Sequence, residues 1–293
     1  MPEDLPLPGT PEGRAGLDAI AADPAHALIA SDFDGTLSPI VADPASARAY
    51  PGAADVLGRL ASAVGTVAII TGRPAADAVR LGGLEDVPGL IVLGHYGAER
   101  WQDGTVTAAP VPPGIAVVRV ELPRVLAGLR AGAGAPVGTR IEDKGTALAV
   151  HTRQTADPDG ALRLLREPLA KLATEAGLGI EPGKAVLEIR PTGIDKGGAL
   201  TALVAERGAR SVLFCGDDLG DLAAFAAVRD LRADGVAGCC VASRSPESGK
   251  VAAAADLVVD GPAGIVQLMF AVSAAVAAET ANRADGGYGR PGA

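Results

Sequence analysis

The chain has 293 residues, 48% hydrophobic and 21% charged, the balance of a folded globular protein with material for a sizeable core and for about two domains. Its formal net charge of −9 and its 3% aromatic content argue against nucleic acid or an anionic membrane as partner, and against a base-stacking surface. Three cysteines, Cys215, Cys239 and Cys240, two of them adjacent, form neither a disulfide framework nor a metal-ligand spacing, and predict reduced, buried thiols and a cytoplasmic protein.

Residues 1–16 are Pro/Gly-rich and are expected to be disordered; the opening M-P-E-D-L-P-L-P is unlike a signal peptide. A short helix is expected over 17–22. The run 27–30 then reads as a buried parallel strand, and Asp32 and Asp34 fall where it opens into a loop, followed by Gly35-Thr36. Ligands of open α/β sheets bind outside the carboxyl ends of strands. Two carboxylates there can hold a hard cation, and one can attack phosphorus; the same D-x-D pattern also serves in turns and helix caps. Residues 53–64 carry a helical stripe of Val56, Leu57, Leu60 and Ala61, and 67–70 form a second buried strand ending in Thr71-Gly72-Arg73. Strand, helix and strand predict a right-handed parallel unit. Thr71 has two readings: a cap before Pro74, or a hydroxyl donor to a phosphate oxygen, with Gly72 letting the backbone come close. A third strand is expected over 90–93 and a hairpin over 101–106 around Asp103-Gly104.

Pro110, Pro112, Pro113 and Gly114 read as a linker, and 115–129 as a helix that Pro123 kinks or splits. In R-I-E-D-K-G-T-A-L-A-V-H, the residues Arg140, Glu142 and Lys144 share strand parity. A helix over 159–176 buries Leu162, Leu165, Leu169 and Leu172. In the strand A-V-L-E-I-R-P that follows, Glu188 and Arg190 oppose Leu187 and Ile189. Half-polar strands predict an antiparallel sheet covered on one face. Its other face presents Glu142, Lys144, Glu188 and His151, as a plain solvated surface or as acceptors and donors for a polyol.

Asp195 caps a helix that places Lys196 in its first turn, against the helix dipole, so that both the amine and the amide groups can face one anion. The helix stops at Gly208. A buried strand over 211–215 ends in F-C-G-D-D-L-G-D, where Asp217, Asp218 and Asp221 repel one another unless a cation or hydrogen bonds compensate. Strands over 236–242 and 255–259 follow. The apolar stretch 265–278, interrupted by Gln267 and Ser273, reads as a core helix too short to span a bilayer, and 284–293 as a disordered tail.

The ordered set D-x-D-G-T, Thr, Lys, D-D resembles the haloacid-dehalogenase (HAD) phosphatase superfamily. The resemblance implies Asp32 as nucleophile, Asp34 as general acid/base, and Thr71 and Lys196 as partners of the phosphate. E-D-K-G-x-x-L-A-V-H-x-R, with L-E-I-R-P-x-G-x-D-K-G and D-F-D-G-T-L-S-P-I, is similar to trehalose-6-phosphate phosphatases over about 27–270. It implies an α/β fold: a Rossmann-like parallel-sheet core of 17–110 and 191–283, with an inserted cap of 111–190, an antiparallel sheet with helices that closes over the site. It also implies Mg²⁺ on Asp32, Asp34, Asp217 and Asp218, with the direct ligand open between the last two. Thr71, Gly72, Arg73, Glu142, Lys144, His151, Glu188 and Lys196 bind the substrate. The expected reaction is hydrolysis of trehalose 6-phosphate, a small-molecule substrate, through an aspartyl-phosphate; a phosphatase for sucrose phosphate or a mannosyl phosphate, and a non-catalytic sugar-phosphate sensor, are the alternatives. Two departures stand out. Gly220 and Leu222 replace the Thr and Glu of G-D-D-x-T-D-E, and Tyr96 precedes Gly97-Ala98-Glu99 where the pattern has H-G-x-E.

Overall fold

The computed structural model describes residues 7–108, 110–131, 136–183, 185–244 and 249–286. The chain divides into two compact units, Met1–Ala108 with Asp195–Ala293, and Ala109–Ile194. The first unit opens with α1 (Pro11–Ala22), β1 (Ala27–Ser31), α2 (Ala53–Ala61), β2 (Thr66–Ile70), α3 (Ala75–Gly82), β3 (Ile91–Gly94), β4 (Glu99–Gln102) and β5 (Thr105–Ala108). The second contains α4 (Pro113–Ala131), β6 (Arg140–Asp143), β7 (Leu148–His151), α5 (Pro158–Glu175), β8 (Gly179–Gly183) and β9 (Val186–Arg190). The chain then completes the first unit with α6 (Lys196–Arg207), β10 (Ser211–Gly216), α7 (Leu222–Ala233), β11 (Ala237–Ser243), α8 (Gly249–Ala254), β12 (Leu257–Val259) and α9 (Gly261–Gly286).

An eight-stranded sheet in the order β12-β11-β10-β1-β2-β3-β4-β5 forms the first unit. Its strands are parallel from β12 to β3, and the β4–β5 hairpin adds an antiparallel edge. Successive side chains of β1 go to opposite faces. Ala27 and Ile29 join Ile20 of α1, Leu57 of α2, Val79 of α3 and Met269 of α9. Leu28 and Ala30 join Leu200 of α6, Phe225 of α7 and Val251 of α8. Helices on both faces are the reason the strand is apolar without alternation. At the hairpin, Asp103 (φ 49°) and Gly104 (φ 77°) are both left-handed, as a two-residue turn between twisted strands demands.

Four expectations change. Residues 11–16 are not disordered: they form the start of α1, capped by Thr10, whose hydroxyl accepts the Gly13 N–H at 3.0 Å. The glycines that read as breakers are contact points. A Cβ on Gly16 would come within 2.2 Å of the Gly238 carbonyl oxygen of β11, and one on Gly13 within 2.4 Å of Asp256. Helix α9 runs past residue 284 to Gly286, and its stretch Gly261–Arg283 is long and apolar enough to cross a membrane. Length therefore does not decide its setting; Ile265, Leu268, Met269, Val272 and Val276 lie buried in the first unit's core. Pro123 lies inside α4 without splitting it. Strand β8, unread in the sequence because of its glycines and Pro182, is an edge strand, where a proline is tolerated. Of the tail expected over 284–293, residues 287–293 lie outside the described residues, as do the first six.

The second unit is a four-stranded antiparallel sheet in the order β6-β7-β9-β8. Leu148, Val150, Leu187 and Ile189 pack on Ile115, Val118 and Leu122 of α4 and on Leu165 and Leu169 of α5. The alternate residues point the other way: Glu142 pairs across to Ala149, and Ala149 to Glu188.

Candidate active site

Parallel pairing brings the chemistry of distant segments to one edge of the sheet. Ser31 lies beside Cys215 in the register of β1 and β10, and the Asp32 N–H donates to the Cys215 carbonyl at 2.8 Å. Asp32 and Asp217 therefore leave neighbouring strand ends. Between them, Gly35 holds φ 80°, and a Cβ there would sit 2.1 Å from the Asp217 carboxylate. The glycine is needed for conformation and for space. Ser243 at the end of β11 donates its hydroxyl to the Gly35 carbonyl at 2.7 Å, and Thr36 donates to Asp217 Oδ1 at 3.3 Å.

Lys196 opens α6, whose cap Asp195 accepts the Gly198 N–H at 2.8 Å. Its ammonium lies 2.8 Å from Asp32 Oδ1 and 2.6 Å from Asp221 Oδ1. Asp221 also accepts, on Oδ2, the N–H groups of Asp217 at 2.9 Å and Asp218 at 3.1 Å. Asp221 is thus the post to which the lysine and the β10 loop are both tied. Sequence reasoning saw it as one acid of three and gave it no part in the site; the signal was its place in the G-D-D-x-x-D run.

Asp32, Asp217, Asp221 and Lys196 are all buried. One buried ammonium cannot balance three buried carboxylates. Burial pushes Asp32 well above the usual carboxylate range, against the pull of Lys196, and pushes Asp217 up to about 7, with Asp221 and Asp218 adding to it. Asp221 is raised by burial as well. Burial works to lower the Lys196 ammonium, but Asp221 and Asp32 outweigh it and the group is held protonated. Oxygens of Asp32, Asp217 and Asp221 lie within 4.8 Å of one another, a hard donor set suited to a hard cation. Both Asp221 oxygens already accept hydrogen bonds, from Lys196 and from the β10 loop. The structure does not bring Asp218 into this group. Its side chain turns to the Gly220 N–H at 2.9 Å, at an exposed position.

Asp34 meets Arg73 in a two-pronged pair, Nε to Oδ2 at 2.5 Å and Nη2 to Oδ1 at 2.6 Å. Arg73 also donates to the Pro44 carbonyl at 2.9 Å and lies over the Phe33 ring, and its hydrogen bond to Asp34 raises its own pKa. The arginine expected on the substrate grips the expected acid. Thr71 is buried and accepts the Arg73 N–H at 3.2 Å. It does not cap α3, where the Glu99 carboxylate accepts the Ala75 N–H at 3.0 Å. Gly72 is required by a neighbour: a Cβ would come within 2.8 Å of the Tyr96 hydroxyl. His95 (φ 48°) and Tyr96 (φ 60°) occupy the left-handed region, a strained choice for such residues. Their N–H groups donate to the Arg73 and Thr71 carbonyls, both at 2.9 Å, and fasten the loop.

In the second unit, the remaining candidates pair with each other on the open face of the sheet. Lys144 Nζ meets Glu188 Oε2 at 2.5 Å, and His151 Nε2 meets Glu142 Oε2 at 2.7 Å.

Residues 30–263 match the family model described as trehalose-phosphatase. The chain belongs to the trehalose-phosphatase family. It is 34% identical over 251 residues to the trehalose-phosphate phosphatase of Mycobacterium leprae, covering 79% of this chain and 54% of that one. It is 33% identical over 205 residues to the trehalose-6-phosphate phosphatase of Escherichia coli, covering 68% and 73%. The chain spans only 54% to 62% of the length of the mycobacterial trehalose-phosphate phosphatases it matches. A solved Aspergillus fumigatus trehalose-6-phosphate phosphatase shares the fold, with a TM-score of 0.66 at 24% identity over 92% of this chain and 99% of that one. This trehalose-phosphatase family member carries D-x-D, Thr and D-D at the ends of the adjoining strands β1, β2 and β10 and Lys196 at the start of α6, despite Gly220 and Leu222 in the last motif.

Proposed function

We propose that the chain hydrolyses trehalose 6-phosphate to trehalose and phosphate. The observation that carries this reading is the buried Asp32–Lys196–Asp221 chain beside Asp217, on a family member whose second unit bears Glu142, Lys144 and Glu188. The residues fit a divalent cation, which we take to be Mg²⁺: Asp32 and Asp217 would hold it with the Asp34 carbonyl, and it would offset the charge of an approaching phosphate. Lys196 screens the nucleophile, letting an anionic carboxylate approach an anionic ester. An Asp32 oxygen forms the bond to phosphorus as the bond to the sugar oxygen breaks. The sugar oxygen leaves with the electron pair of the broken bond and takes a proton from Asp34, whose carboxyl must first turn out of the Arg73 fork. Asp34 then takes a proton from water, whose oxygen attacks phosphorus and frees Asp32 and inorganic phosphate. Thr71 donates to a phosphate oxygen, while Glu142, Lys144, His151 and Glu188 exchange their mutual bonds for sugar hydroxyls.

The test is phosphate release from trehalose 6-phosphate, sucrose 6-phosphate and mannosyl phosphates, with MgCl₂ and with EDTA. Release that prefers trehalose 6-phosphate, needs the ion and disappears in Asp32→Asn supports the reading. Preference for another sugar overturns the substrate, and equal release by the variant overturns the mechanism.

A further inference from the structure

We propose that Arg119 and Asp143 form a clasp that positions Lys144 for the sugar, an inference that rests on the reading of Lys144 as a sugar contact. Strand alternation separates the three consecutive residues of β6 and its turn. Glu142 and Lys144 project from the open face of the sheet, while Asp143, paired with Leu148, projects towards the helices. There it meets Arg119 of α4, next to the buried Val118 and one turn from the buried Ile115 and Leu122. Arg119 Nε reaches Asp143 Oδ2 at 2.5 Å and Nη2 reaches Oδ1 at 3.1 Å; Nη2 also donates to the Gly145 carbonyl at 3.2 Å. Asp143 Oδ1 accepts the Gly145 N–H at 2.8 Å.

Both peptide groups of Gly145 are therefore held from the helix side, and Gly145 itself sits at φ 81°. The intervening Lys144 donates its N–H to the Ala147 carbonyl at 2.9 Å and its ammonium to Glu188. Arg119 and Asp143 stand half exposed, where an ion pair adds little to stability. Its geometry nonetheless fixes the backbone on either side of Lys144, and only an arginine fork can take the carboxylate and the carbonyl together. The pair acts on recognition through the turn and touches no reacting atom.

The experiment is a cycle of Arg119→Ala, Lys144→Ala and the double variant in the full chain, with kcat and KM for trehalose 6-phosphate and a thermal melt of each. Arg119→Ala is expected to raise KM about fivefold to tenfold with kcat within twofold, and to add less than twofold on top of Lys144→Ala. Asp143→Asn, which keeps the Gly145 contact and loses the arginine, should show the same split. KM effects that multiply in the double variant, or an Arg119→Ala KM equal to wild type, overturn the clasp. A wild type with no turnover of this ester overturns the functional reading and the clasp with it.

Discussion

The polar groups of the two units are built on opposite plans. In the first unit the charged groups are buried at the ends of parallel strands and tied into backbone; Asp221 alone holds an ammonium and two amide N–H groups. In the second, Lys144–Glu188 and Glu142–His151 are side chain to side chain, and Glu142 and His151 stand 52% and 40% exposed. Rearranging the first set means uncovering buried charge, whereas Glu142–His151 trades partners with water or a hydroxyl at small cost; Lys144–Glu188, 23% and 11% exposed, lies between the two. On the proposed reading, rigidity is concentrated where charge would develop in the reaction, and the more exchangeable bonds are left for recognition.

The contrast is broken most severely at Asp32. Asp32→Asn is expected to lower kcat/KM by about 10⁴-fold, the scale set by loss of an essential group, read as phosphate release. Next comes the electrostatic crowding itself. In metal-stripped protein, Asp217 keeps its proton to about pH 7, whereas in the unfolded chain it loses it near 3.8. The unfolded state therefore binds fewer protons across that window, and stability falls as pH rises through it. Denaturant unfolding should show wild type losing about 2–4 kcal/mol between pH 4 and pH 8 from this group, a loss absent in Asp217→Asn. Added Mg²⁺ should restore wild type alone, by mass action; equal pH profiles for both proteins would show the carboxylate is not crowded.

Asp34→Asn and Arg73→Ala should each lower kcat by about 10²-fold. Their double variant should be little worse than either alone, since one acts through the other; multiplying losses would separate Arg73 from the acid. The smallest effect belongs to the second unit. Lys144→Ala should raise KM for the sugar phosphate about tenfold, or about 1.4 kcal/mol, leaving kcat within a few fold. A kcat loss as large as that of Asp34→Asn would erase the distinction between the two clusters.

The motif residues were readable because each follows an apolar strand or opens a helix, and parallel pairing does the rest. Asp32, Lys196 and Asp217 needed no more than that. Partnerships over long separations were not readable. Nothing local says that Arg73 turns back to a carboxylate 39 residues earlier, or that in D-D-L-G-D the second aspartate faces outward while the last faces in. The turn after Gly216 decides that: a Cβ there would strike Asp221 at 2.5 Å or closer. Helix α1 was hidden for a related reason. Gly13 and Gly16 lower helix propensity, and only their close neighbours, Asp256 and Gly238, reveal why small residues stand there.

That first helix sets the true limits of the fold. The family match covers residues 30–263, yet Ile20 before it and Leu268, Met269, Val272 and Val276 after it share a hydrophobic cluster with Ile29 of the central strand. Thr10, before the matched interval, also donates to Asp256 within it at 2.5 Å. A polypeptide trimmed to the matched interval would retain Asp32, Lys196 and Asp217 but lose α1 and most of α9, leaving α2 and α3 as the remaining cover on this face of the sheet. The segment that matches the family is thus smaller than the packed core to which it belongs.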